Sequence, residues 1–356
     1  MRARDLVALP PQPDGVRWPT DEWPLGEPVD AVADALAGLL DEITTDTSRY
    51  GTTFAVAVVH RGRLVAERYG GRLEHWERPH EPVEPTTRLL SWSMAKSVLH
   101  AVVGMLVAEG RLSLDGPAPV PEWDDPADPR HAITLEHMLA MRDGLAFRED
   151  YDDAGRSDVI EMLFGAGEAD MAHFAADRPL AHPPGTTFNY SSGTSNIVSG
   201  IVARTVGPGE PYRRFLHDRL FDVLGMRSAD PRFDDAGTFA GSSYLYATAR
   251  DYLRFGLLYL RDGVWEGQRL LPAGWVDHGR RIRSYEEAED RWYGAHWWSV
   301  GDDLGTFWAS GYHGQSLMLC PPLDLMVMRL GRSPDDHHNP NLRAWRAAMV
   351  DAFRSA

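Results

Sequence analysis

The sequence predicts an α/β (α+β) chain: an antiparallel sheet formed by both chain ends and flanked by helices, with a helical subdomain inserted between them. Three observations predict it. Short apolar runs rich in β-branched residues lie near both ends, at 54–59 and 64–69 and again at 306–310, 316–320 and 325–330. Helical spacing dominates the stretch between them. The chain has 356 residues, 43% hydrophobic and 10% aromatic, which is enough to bury a large core and excludes a mainly disordered polymer. The expected division is a Pro-rich irregular arm over 1–28, an α/β subdomain from 29–115 and 240–356, and a helical subdomain over 116–239.

Taken in order, Pro10, Pro11, Pro13, Pro19, Pro24 and Pro28 rule out regular structure in the arm. Val29, Val32, Leu36, Leu39, Leu40 and Ile43 recur at helical spacing. Phe54 to Val59 reads as a strand, His60-Arg61-Gly62-Arg63 as a turn, and Leu64 to Tyr69 as the returning strand. A long helix is expected from Ser93 to Glu109, with Gly110 as its stop. From 115 to 240 the pattern is mostly helical, broken by connections such as Gly116-Pro117-Ala118-Pro119. Helices are expected again at 251–260, 273–280 and 340–353.

Composition narrows the function. A formal charge of −16 argues against nucleic acid or an anionic membrane surface as a partner. No apolar run approaches the length of a membrane helix, and the N-terminus lacks the apolar core of a signal peptide, so the expected compartment is cytoplasmic. The lone cysteine, Cys320, cannot form an internal disulfide and reads as a buried small hydrophobe. Of the 36 basic side chains just one is a lysine, Lys96. Arginine keeps its proton near neutrality, whereas a desolvated lysine can release it.

That lysine lies in Ser91-Trp92-Ser93-Met94-Ala95-Lys96-Ser97. Ser93 and Lys96, three residues apart, share a helix face, and a serine hydroxyl becomes a nucleophile when a nearby base takes its proton. Ser-x-x-Lys is a common string; the absence of any other lysine singles this one out. Two further segments join it. Pro184-Gly185 leads into Asn189-Tyr190-Ser191-Ser192-Gly193 ahead of an apolar helix. Trp308-Ala309-Ser310-Gly311-Tyr312-His313-Gly314-Gln315 brackets a strand edge with glycines, where a backbone N–H can serve an oxyanion.

In this order and spacing the three segments resemble the serine β-lactamase and penicillin-binding-protein (DD-peptidase) superfamily. The likeness is nearest to class C β-lactamases, family VIII carboxylesterases and nylon-oligomer (aminohexanoate-dimer) hydrolases. It extends over roughly 50–335 and includes Ile133 to Gly144-Leu145, Phe221 to Met226 and Ala247 to Asp251. The resemblance implies Ser93 as the acylated nucleophile, Lys96 as its base and Tyr190 as the proton shuttle. It also implies the backbone N–H groups of Ser93 and Tyr312 as oxyanion donors, and Tyr151, Ser192, Gly311 and His313 as substrate-binding residues. Trp292, Trp297, Trp298 and Trp308 cluster near the oxyanion strand and read as core and pocket wall suited to an apolar acyl group, with Trp298 a further substrate-binding candidate. In the nylon-oligomer branch an aspartate holds a substrate amine, and Asp158 is taken for that place. Two departures matter: Tyr190-Ser191-Ser192 lacks the asparagine of Tyr-x-Asn, and Ala309-Ser310-Gly311 stands where β-lactamases carry Lys-Thr-Gly.

The expected function is a serine hydrolase acting on a small-molecule ester or amide, with no metal and no other cofactor, and with a homodimer left open. The alternatives are β-lactamase or DD-peptidase activity, or a non-catalytic binding protein on the same fold. An α/β-hydrolase would need Gly-x-Ser-x-Gly, which is missing. Asp335-Asp336-His337-His338 lacks metal-ligand spacing and reads as a polar loop.

Overall fold

The computed structural model describes residues 6–75, 78–151, 157–287, 290–333 and 339–355. Its main sheet has eight antiparallel strands. In chain order these are β1 (Thr52–His60), β2 (Arg63–Tyr69), β3 (Ser284–Glu286), β4 (Arg291–Tyr293), β5 (Trp298–Ser299), β6 (Phe307–Gly311), β7 (Gln315–Cys320) and β8 (Leu325–Arg332). Their spatial order is β3-β4-β5-β6-β7-β8-β1-β2, so β1 lies between its hairpin partner and the last strand of the chain. The sheet joins both chain ends, as expected.

Alternation on the central strands builds two cores. Ala55, Ala57 and Val59 of β1 face one side with Met326, Met328 and Leu330 of β8; Val56 and Val58 face the other with Val327. The register pairs Ala57 with Met328 and Val58 with Val327, so each apolar residue meets one on its own face. Burial on both faces explains the nearly unbroken apolar sequence of these strands. One face is covered by α1 (Asp30–Thr45) and the closing helix α5 (Pro340–Arg354), through Val32, Leu36, Leu40 and Ile43 against Leu342, Trp345 and Met349. The other receives α2 (Ala95–Ala108), α3 (Ser192–Val206) and α4 (Ala249–Leu260).

The middle of the chain is less helical than its sequence predicts. The helices Leu135–Leu139, Asp158–Phe164 and Met171–Ala176 have five to seven residues and are joined by irregular chain. Pro117, Pro119, Pro121, Pro126 and Pro129 account for the first part, since each lacks an N–H and blocks the preceding turn. The short strands β3 to β5 also escape sequence reading.

Residues 6–28 run along the body and are gripped by arginines. Arg254 Nε donates to Pro19 O at 2.7 Å, Arg261 Nε to Gln12 Oε1 at 2.9 Å, and Arg280 to Val7 O. Trp23 is buried and donates to Arg250 O at 3.0 Å. Among the described residues no helix is long and apolar enough to cross a membrane.

Candidate active site

The Ser-x-x-Lys segment enters α2 through a 3-10 turn, Trp92–Met94. Ser91 pins the entry: its N–H donates to Leu245 O at 2.8 Å, and its hydroxyl accepts from Leu245 N at 3.2 Å. Trp92 then takes φ +46°, a left-handed conformation that a bulky residue adopts only under constraint. This bend presents Ser93 at the surface of a cleft. Behind it, Lys96 is 2% exposed.

Lys96 Nζ has three oxygens around it: Ser93 Oγ at 2.9 Å, Ser242 O at 2.9 Å and Ser192 Oγ at 3.0 Å. An ammonium donates to all three. A neutral amine keeps two of these bonds and turns its lone pair to the third partner, which suits acceptance of a proton from Ser93. Burial lowers the Lys96 amine from its ordinary value to about 8, although the Glu149 charge opposes this. Near neutrality a useful fraction is therefore deprotonated.

Tyr190 stands on the other side of the ammonium, its ring centroid 4.9 Å from Nζ. Its ring also meets Trp298 at 5.3 Å and Tyr293 at 6.0 Å. Burial pushes its phenol well above the usual range, and the Ser93 hydroxyl pulls the other way, so it stays a proton donor. The end of β6 closes the group. Gly311 passes so near that a Cβ there would lie 2.3 Å from Ser91 O, which only glycine permits. Tyr312 follows, packing edge-on against Trp92 at 5.5 Å and against Tyr151 at 5.0 Å. The turn is braced from behind: Gln315 Nε2 donates to Tyr312 O at 2.9 Å, and buried Arg329 donates to His313 O at 2.7 Å.

The cleft has a volume of about 710 Å³, and Ser93, Tyr151, Tyr190, Trp298, Gly311 and Tyr312 line it. It continues over Trp308 and Met318 toward Leu342 and Val350 of α5. The sequence-predicted residues thus converge, with exceptions. Ser192 is buried behind Lys96. His313, at φ +62°, is not among the lining residues: its Nδ1 donates to Ser333 O at 3.2 Å and its ring packs 4.2 Å from that of Tyr312. Asp158 is not there either: it accepts from Arg148 N at 2.8 Å and from Arg178 at 3.1 Å, within the helical region. The absence of a second lysine does not leave the cleft without cations, since Arg291 and Arg343 line it. Arg291 pairs with Glu286 and stacks on Trp298, and Arg343 lies 3.5 Å from Asp290. The segment Asp335-Asp336-His337-His338 lies outside the described residues.

Sequence reading missed Glu149. Its carboxylate accepts from Ser192 N at 2.7 Å, from Ser192 Oγ at 2.5 Å and from the Tyr151 hydroxyl. Nothing local in Glu149-Asp150-Tyr151 marks it, because the partner that links it to Lys96, Ser192, lies some forty residues away on α3.

Comparison with known proteins gives the family. The Beta-lactamase family model matches residues 36–351. The chain belongs to the Beta-lactamase family. It is 30% identical over 287 residues to the 6-aminohexanoate-dimer hydrolase of Paenarthrobacter ureafaciens, covering 73% of this chain and 69% of that one. It is 28% identical over 265 residues to the esterase EstB of Burkholderia gladioli, covering 70% and 62%. Its fold superposes on a penicillin-binding protein homologue from Caulobacter crescentus with TM-score 0.68 at 17% identity, covering 92% and 99%. The resemblance read from the motifs is borne out, and the chain is a β-lactamase-related hydrolase.

Proposed function

We propose that this hydrolase cleaves a carboxylic ester or a linear amide through an acyl-enzyme on Ser93. One observation carries the reading: a buried lysine, the only one in the chain, places Nζ 2.9 Å from the hydroxyl of a serine at the mouth of the cleft. Neutral Lys96 takes the Ser93 proton as Oγ attacks the carbonyl carbon. The oxyanion that forms is met by the N–H groups of Ser93 and Tyr312. Tyr190, held in its protonated form, delivers a proton to the leaving alcohol or amine and is reprotonated from Lys96. Water then attacks the acyl-enzyme with Lys96 again as base, releasing the acid and free Ser93.

Ester or linear amide is favoured over β-lactam because Ser192 is engaged by Lys96 and Glu149, and Ala309 replaces the oxyanion-strand lysine. The aromatic walls, Trp298 and Trp308 above all, suit an apolar acyl or alcohol group. A fluorophosphonate probe tests the chemistry: it should attach once, at Ser93, and not at all in Ser93→Ala, whose turnover should fall by about 10³ or more. Absence of labelling in the wild type would indicate a binding protein instead. A panel of p-nitrophenyl butyrate, a linear aminohexanoate dimer and nitrocefin tests the substrate class. Nitrocefin should give the lowest kcat/KM, and a value at or above that of the butyrate ester would overturn this order.

A further inference from the structure

Glu149 is tied to Lys96 through one hydroxyl. Ser192 Oγ accepts from Lys96 Nζ at 3.0 Å and lies 2.5 Å from Glu149 Oε1. A hydroxyl has a single proton, and a carboxylate can only accept. The Ser192 proton is therefore committed to Glu149, and Ser192 Oγ shows Lys96 nothing but lone pairs. Ser242 O, the second partner of Nζ at 2.9 Å, is a carbonyl and also only accepts. When Lys96 is neutral, its two N–H bonds are spent on these acceptors and its lone pair has one place to point, the hydroxyl of Ser93.

We propose that Glu149 is a positioning residue that acts through Ser192, aiming the Lys96 lone pair at Ser93 and holding the countercharge against which Lys96 gives up its proton. The inference rests on the reading of Lys96 as the base. Without a carboxylate at this place, the Ser192 proton is free to turn toward Lys96 and compete with Ser93 for the lone pair.

The other groups around Lys96 do not supply this charge. Tyr190, across the ammonium, and Tyr151, on Glu149, are both held protonated by burial. His296 Nδ1 donates to Lys96 O at 2.9 Å, and burial keeps its imidazole neutral, lowered to about 3. Ser93, Ser192 and the Ser242 carbonyl are uncharged. Arg291 and Glu286 lie beyond Trp298, paired with each other. Glu149 is left as the charge beside Lys96 among the described residues.

The single lysine makes a direct test possible. Protein grown on lysine labelled with ¹³C at Cε gives one lysine signal, whose shift against pH reports Lys96 without assignment. The wild-type midpoint should lie near 8. In Glu149→Gln it should fall by about one unit or more, because the charge that retains the proton is gone. The plateau kcat/KM on the best ester should fall by about tenfold or more, because the lone pair is no longer aimed. If Glu149→Gln does not fold, Ser192→Ala removes the hydroxyl that joins Glu149 to Lys96; the ammonium loses an acceptor, so the midpoint should fall by less than in Glu149→Gln, and in a folded pair the two changes should be non-additive. A folded Glu149→Gln with its midpoint within about 0.2 units of wild type overturns the inference. The outcomes separate from those of the parent reading. Activity retained in Lys96→Arg would remove Lys96 as base, yet leave the titration of the wild type and Glu149→Gln to decide whether Glu149 holds the Lys96 proton. An inactive Lys96→Arg with an unshifted Glu149→Gln would remove Glu149 alone.

Discussion

Lys96 and His100 sit one turn apart on α2, and each anchors a buried hydrogen-bonded cluster built from distant segments. His100 Nδ1 is 2.8 Å from the Tyr259 hydroxyl and Nε2 is 3.1 Å from His278 Nδ1; His278 Nε2 is 2.6 Å from Glu136, which also accepts from Arg283 at 2.9 Å. A continuous hydrogen-bonded chain thus runs from Tyr259 through His100 and His278 to the Glu136 carboxylate. Burial, with His278, His296 and Arg283 adding to it, drives the His100 imidazole well below its ordinary range. Both clusters therefore contain displaced titratable groups. The difference is access. The Lys96 cluster ends on Ser93 at a large cleft, whereas none of the histidine cluster lines that cleft, and its outer end is an ion pair between the segments that it joins. A perturbed group in a core marks chemistry only when a reactant can reach it.

The strongest test of that contrast substitutes each anchor. Lys96→Arg keeps the charge but cannot accept a proton, and its kcat/KM should drop by about 10³ with the circular dichroism spectrum unchanged. His100→Asn should keep kcat/KM within about threefold while losing about 1–3 kcal/mol of stability, since Tyr259 and His278 lose buried partners. A folded Lys96→Arg with a third or more of wild-type activity would remove the distinction between the clusters.

The pH profile sharpens it next. The amine is active when neutral, so kcat/KM should rise through about pH 8 and lie roughly a hundredfold below its plateau at pH 6. The limb belongs to the Lys96–Tyr190 pair as a unit. A flat profile between pH 6 and 9 would remove Lys96 as the base.

The smallest effect is on acid stability. Burial alone would raise the Glu136 carboxyl, but the hydrogen bond from His278 and the Arg283 charge bring it to about 2. A folded value below the unfolded one contributes stability above about pH 4.5, lost as pH falls toward 2. Glu136→Gln should therefore cost about 1–2 kcal/mol at pH 7, the side chain being one-third exposed and partly screened. It should also flatten the fall of Tm between pH 5 and 2 and leave kcat/KM unchanged. A wild-type acid slope in this variant would show that the pair contributes nothing.

Sequence reading was strongest where periodicity or composition left few alternatives. Strands β1, β7 and β8 announce themselves as apolar runs because both faces are buried, and β2 follows from the Arg61-Gly62 turn after β1. Ser93 and Lys96 are legible from their spacing and from the absence of other lysines. Strands β3 to β5 are two or three residues long, too short for any period, and Trp292 and Trp298 within them read simply as pocket wall. Asp158 was misplaced and Glu149 overlooked for one reason: a carboxylate's role depends on what folds against it. Arg178 meets the first and Ser192 the second, and neither contact is written locally.

The placement of β1 in the sheet has a consequence for synthesis. This strand is finished early, yet the strand on its other side, β8, leaves the ribosome more than two hundred and fifty residues later. At ordinary elongation rates the delay is tens of seconds. Throughout it the β1–β2 hairpin presents an unpaired, apolar edge to the cytosol or translocation machinery. Holdase chaperones that shield such edges should therefore govern the soluble yield of this enzyme more than the strength of its finished core.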